Sequence, residues 1–118
     1  MTGTGDHGLR GKAAIVGVAD AVSPTGELDG TVRGLEVQMI REALDDAGLT
    51  IGDVDGVFIN NAVGWAASLE LAEYLGISPR YTDSTQTGGS SYEILVQHAA
   101  AAMTVYDQLI TDVAPAFR

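Results

Sequence analysis

Apolar side chains recur at three- and four-residue spacing along residues 35–47: Leu35, Met39, Ile40, Ala43, Leu44 and Ala47, with Glu36, Arg41, Glu42 and Asp45 on the other side. That period marks one face of an α-helix, and Gly48 stands where a helix ends in a left-handed residue. Two flanking runs have a different character. Residues 12–19 (Lys-Ala-Ala-Ile-Val-Gly-Val-Ala) are short, apolar and rich in β-branched side chains, which predicts a strand buried on both faces. Residues 54–60 (Val-Asp-Gly-Val-Phe-Ile-Asn) predict a second strand, entered through a tight capped turn at residues 50–53. Residues 20–30, dominated by Ser, Pro, Gly and Asp, read as a surface loop. Strand, helix and strand in this order predict a parallel pair joined by a right-handed crossover.

Downstream, Ala66, Leu69, Ala72 and Leu75 mark a shorter helix that ends at Gly76, ahead of Ser78-Pro79. Residues 81–85 fit a short strand. Ser90-Ser91-Tyr92-Glu93 then has the form of a capping box, with Ser90 as the cap of a helix. That helix continues through Ile94, Leu95, Val96, His98, four alanines and Met103; with apolar or small residues on all sides it is expected inside the protein. Residues 106–113 fit either a fourth strand or a continuation of the helix, and Ala114-Pro115 ends them. The division this suggests is a flexible tail over residues 1–10 and one α/β domain over residues 11–118.

Composition narrows the classes of function. A chain of 118 residues with 46% hydrophobic content can build one modest core. Sixteen acidic against six basic residues give a formal net charge of -10. Such a surface lacks the cations that displace counterions from a polyanion, so neither nucleic acid nor an anionic membrane is an expected partner. The start of the chain has no basic segment followed by an apolar one, and the longest apolar stretch, residues 99–105, is too short to cross a bilayer. Without cysteine there is no disulfide or thiolate metal site; the expected location is cytoplasmic.

Several residues invite a chemical reading beside a plainer one. Gly3, Gly5 and Gly8 match the dinucleotide fingerprint, but they precede the first expected strand instead of linking a strand to a helix, so a tail is the better reading. Ser90 and Ser91 carry hydroxyls that become nucleophiles only beside a base, and capping accounts for Ser90. His98 is expected as a neutral core histidine rather than a site residue. Asp53, Asp55 and Asp83 lack a histidine or third acid at ligand spacing and read as turn residues. Trp65 is expected to staple the second helix to the sheet, with an acyl pocket as the alternative. Gly88 and Gly89 are more informative, because glycines ahead of a helix let a ligand oxygen approach free backbone N–H groups.

Four segments, in this order and spacing, carry a family likeness: Ala13-Ala14-Ile15-Val16-Gly17-Val18; Ala43-Leu44-Asp45-Asp46-Ala47-Gly48-Leu49; Asp53-Val54-Asp55-Gly56-Val57; and Gly88-Gly89-Ser90-Ser91 leading to His98-Ala99-Ala100-Ala101-Ala102-Met103. Over about residues 9–103 the chain resembles the N-terminal half of the thiolase superfamily, especially the sterol-carrier-protein-type thiolases and their thiolase-like relatives. The resemblance implies an α/β fold, half of a thiolase fold, with a mostly parallel sheet and a buried Ala-rich helix. In that family a Cys-x-Ser-Gly-type segment begins the helix, and its cysteine, made more acidic by the helix N-terminus, attacks an acyl-CoA thioester. Gly89 occupies that position here, and Tyr92 replaces the usual glycine.

The resemblance therefore implies acyl-CoA as ligand, with the CoA thioester as substrate and no other cofactor, and Gly88, Gly89, Ser90 and Ser91 as substrate-binding residues. It implies acyltransferase ancestry or, as in relatives that have lost the cysteine, retro-aldol carbon–carbon cleavage of a steroid side-chain acyl-CoA alongside an OB-fold acyl-CoA-binding partner. The family's histidine segment and second cysteine belong to the other half of its fold and have no counterpart in this sequence, and residues 104–118 do not match the family's continuation. A shortened chain without independent activity is expected. The alternative is a non-catalytic binding or self-association module, a homo-oligomer through an uncovered apolar face.

Overall fold

Thr31 opens the first helix: its side chain accepts from the backbone N–H of Gly34, 3.0 Å away, and supplies one of the acceptors that the first turn lacks. Helix α1 spans Val32–Ala47 and closes at Gly48, whose φ of 71° is the left-handed conformation that glycine adopts without a Cβ penalty. The computed structural model describes residues 8–62 and 64–106. Within them the order continues with strand β1 at Gly56–Asn60, helix α2 at Ala67–Leu75, strand β2 at Tyr81–Thr85 and helix α3 at Ser91–Ala101, which runs into a π-helical turn at Ala102–Tyr106. The described residues form a small α/β domain with three α-helices and a two-stranded parallel sheet.

Strands β1 and β2 pair in parallel, from Gly56 opposite Tyr81 to Asn60 opposite Thr85, with α2 as the crossover. Val57 and Ile59 point to one face and form the core with Ala67, Leu71, Ala72 and Leu75 of α2. Val37 and Ile40 of α1 pack against the same cluster, with Ile51, Val54 and Ile77 around it. Helix α3 covers the other face through Leu95, which is buried. The capped turn expected at residues 50–53 is present: the Asp53 carboxylate accepts from the Thr50 backbone N–H at 2.8 Å and from its hydroxyl at 3.1 Å. None of the described helices is long and apolar enough to cross a membrane.

Several expectations are corrected. Residues 12–19 do not form a strand: Ile15 is 72% exposed, and Val16 and Val18 are exposed with it. β-Branched composition favours a strand only where a neighbour offers a ladder, and this segment runs along α1 instead. The Val18 N–H donates to the Asp46 carboxylate at 3.0 Å, and a Cβ on Gly17 would overlap the Ala43 carbonyl and lie 2.9 Å from the Ala47 Cβ. The parallel pair is accordingly β1 with β2, not residues 12–19 with β1.

Helix α3 is less buried than expected, with only Ser91 and Leu95 fully covered and Tyr92, Val96 and Met103 exposed. Trp65 staples nothing; it is 90% exposed. In α2 the strict three-residue spacing that included Leu69 drifts around the helix, so Leu69 faces solvent while Leu71, four residues after Ala67 and four before Leu75, is buried. Of the expected features, Gly3 and Gly5 and residues 107–115 lie outside the described residues.

Candidate functional site

The carboxyl ends of parallel strands are where open α/β sheets leave a crevice for ligands, and here the two ends carry Asn60 and Thr85, partners in register. The Asn60 amide nitrogen donates to the carbonyl of Gly88 at 3.2 Å, which ties the end of β1 to the glycine turn ahead of α3. That carbonyl requires a donor opposite it, so the amide orientation is settled and Asn60 Oδ1 faces the other way. Neither Asn60 Oδ1 nor Thr85 Oγ1 finds a hydrogen-bond partner among the described residues, though both atoms are buried. Unpaired buried polar atoms each cost about 1–3 kcal/mol and are retained mainly where a site needs them. The neighbouring Asn61 is tied in twice: its N–H donates to the Thr85 carbonyl at 2.8 Å, and its side-chain oxygen accepts from the N–H of Ala67 at 3.2 Å, at the start of α2.

The four residues assigned to substrate binding line the next step of the chain. Gly88 has φ 76°, a conformation that an L-residue rarely adopts, while Gly89 does not need one. A Cβ added to either would meet nothing within 4 Å, so the turn is open on that side. Gly88–Ser90 winds as a single 3-10 turn, which leaves Ser90 already helical at φ -70°, ψ -10°. A residue in that conformation does not cap, and Ser90 instead donates its hydroxyl back to the Thr87 carbonyl at 2.9 Å. The expected capping by Ser90 is thus replaced by a contact of Ser91, which is completely buried and accepts from the Thr87 backbone N–H at 3.0 Å. Ser91 Oγ also lies 3.1 Å from Thr87 Oγ1.

Asp83 and His98 differ from their readings. Asp83 is not a turn residue but the middle of β2, and His98 is not a core residue; its side chain is 41% exposed. Their side chains meet across α3 and the sheet, with Nδ1 2.5 Å from Asp83 Oδ2, and the other carboxylate oxygen accepts from the Ser84 N–H at 2.8 Å. Among the described residues no group of three or more His, Asp or Glu is placed to hold a metal ion.

Sequence reasoning singled out the glycine turn and missed Asn60, Thr85 and Thr87. An Asn-Asn pair at the end of an apolar strand was the available signal, because that is where a parallel sheet opens to ligands.

A scan against protein-family models matches nothing, and comparison with the curated proteins finds no match.

Proposed function

We propose that this chain is a thiolase-like module whose glycine turn at residues 88–91 receives the carbonyl of an acyl-CoA thioester. The observation that carries the reading is the place of Gly88 and Gly89: an unobstructed turn joining the carboxyl end of a parallel strand to the N-terminus of α3. The first turn of a helix has N–H groups without intrahelical partners and a positive potential, which suit a thioester oxygen. Asn60 and Thr85 add unpaired polar atoms beside that turn. With Gly89 at the position of the nucleophile, the module binds and orients a thioester without forming an acyl-enzyme, and carbon–carbon chemistry of the acyltransferase or retro-aldol kind requires groups that this sequence does not supply. The proposal makes the CoA thioester a substrate and calls for no further cofactor, and it leaves room for an OB-fold acyl-CoA-binding partner.

Titrating acetyl-CoA into the protein labelled with 15N tests this. Amide shifts confined to residues 60 and 87–91 are expected, and a response spread over the surface or absent contradicts the reading.

A second reading, self-association, is favoured by one observation. Tyr92 and Val96, four residues apart, share one side of α3, and both are exposed. Light scattering of the purified protein distinguishes the two, since a clean monomer at high concentration removes this reading and leaves the first intact.

A further inference from the structure

Residues 13–23 run without a helix, turn or bend, and Ile15, Val16, Val18 and Val22 along them are exposed. Ile15 and Val16 also line one wall of an apolar groove whose other wall is Ile40, Leu44 and Leu49. A contiguous apolar patch of this kind marks an interaction surface. The way the run is held leaves one of its edges open. Val18 donates its N–H to Asp46 at 3.0 Å, and Gly17 lies against Ala43 and Ala47 of α1. An extended chain turns successive N–H groups to opposite edges, so Ile15, Gly17 and Ala19 present theirs away from Asp46. Among the described residues, Ala13, Ile15, Gly17 and Ala19 make no backbone hydrogen bond. An open edge rich in β-branched side chains, with no proline and no charge between Lys12 and Asp20, is a template for another strand.

The charges of the run select the strand that fits. Lys12 and Asp20, of opposite sign, stand at its two ends. Antiparallel pairing of the run with a copy of itself, about a two-fold axis at Val16, sets Lys12 opposite the partner's Asp20 and Asp20 opposite the partner's Lys12. In the same register Ala13 meets the partner's Ala19 and Ile15 the partner's Gly17, so the residues of the open edge are the ones that exchange hydrogen bonds. Val16 meets its own copy, a pairing of β-branched side chains. We infer that a second copy of this chain docks on residues 12–20 in this register, and that the protein is a two-fold dimer joined by one ladder. The net charge of -10 on each copy opposes association at long range, so the dimer strengthens as added salt screens it. This surface is separate from Tyr92 and Val96 on α3, and the inference rests on neither reading of function given above.

The full chain has no cysteine, so a single introduced thiol reports on its own position. Directly opposed residues of a pair without mutual hydrogen bonds have Cα atoms about 4.5 Å apart, inside the range of about 4.4–6.8 Å that a disulfide spans. Val16→Cys is therefore expected to form a disulfide-linked dimer under mild oxidation about tenfold or more faster than Val18→Cys or Val22→Cys, whose copies lie too far apart to bridge. A mixture of Ala14→Cys and Val18→Cys chains is expected to link to each other. All four positions are exposed, so these exchanges leave the core untouched. Sedimentation of the unsubstituted chain at rising concentration is expected to reach twice the monomer mass and stop there. Lys12→Glu and Asp20→Lys each weaken the dimer about threefold or more, and the two together restore it. A monomer at every concentration, growth beyond a dimer, equal cross-linking at residues 16, 18 and 22, a dimer that weakens with salt, or one lost on Tyr92→Ser overturns the inference.

Discussion

The side-chain amide of Asn60 donates to the carbonyl of Gly88 across 3.2 Å, so the last residue of β1 fixes the turn that leads into α3. Asn60→Asp removes the donor and sets a carboxylate against a carbonyl oxygen. We expect a loss of about 0.5–1.5 kcal/mol in stability, the net worth of an ordinary hydrogen bond, with faster amide exchange concentrated at residues 88–91. Urea denaturation and hydrogen exchange measure the two effects, and uniform exchange across the chain would show that Asn60 does not control the turn.

Gly17 sets how residues 12–19 approach α1. Its Cβ position is occupied by the Ala43 carbonyl and the Ala47 side chain, so Gly17→Ala forces the segment away from the helix. Because the core cluster is formed by β1 and α2, the expected result is local: increased proteolysis near residues 12–22 and amide shifts at residues 43–47, with less than about 1 kcal/mol lost globally. A two-state loss of the entire fold would contradict this.

Arg33 links the helices. Its side chain is 11% exposed and reaches Glu36 at 2.5 Å and Glu70 of α2 at 3.0 Å. Arg33→Ala leaves two carboxylates close together in a chain that is already strongly acidic, and Glu70 is exposed enough for solvent to screen it. A destabilisation of about 1 kcal/mol is expected, shrinking as salt is added; measurement of the midpoint of thermal unfolding at low and high ionic strength checks it.

Leu69 and Leu71 separate the packing of α2 from its sequence pattern. Leu71 is 2% exposed and Leu69 62%, so Leu71→Ala is expected to cost about 2–5 kcal/mol and Leu69→Ala less than about 0.5 kcal/mol. Equal losses in chemical denaturation would mean that the helix phase is wrong.

Much of the fold was legible in the sequence, and the failures share a cause. The faces of α1, the left-handed stops at Gly48 and Gly76, the Thr50 to Asp53 turn and both strands of the sheet follow from local spacing and turn chemistry. Residues 12–19 have strand composition, but a strand also needs a partner, and Gly17 brings the segment onto α1 instead. Two adjacent serines gave no means of knowing that a 3-10 turn would carry Ser90 past the capping conformation and leave Ser91 to bond Thr87. Asp83 and His98 are fifteen residues apart, on different elements, and their pairing depends on how α3 lies over β2. The glycine turn was found because its residues are contiguous; Asn60 and Thr85 were missed because only strand register brings them together.

The proposed assignment of residues 88–91 to a thioester is tested most directly by introducing a thiol. Gly89 has no positive φ and open space around its Cβ position, so Gly89→Cys should fold without strain. At the start of α3 the introduced thiol is expected to alkylate with iodoacetamide and to take the acetyl group from acetyl-CoA about tenfold or more faster than free cysteine, through its larger thiolate fraction. Reactivity no greater than that of free cysteine, in a chain that retains its fold by circular dichroism, would contradict the account.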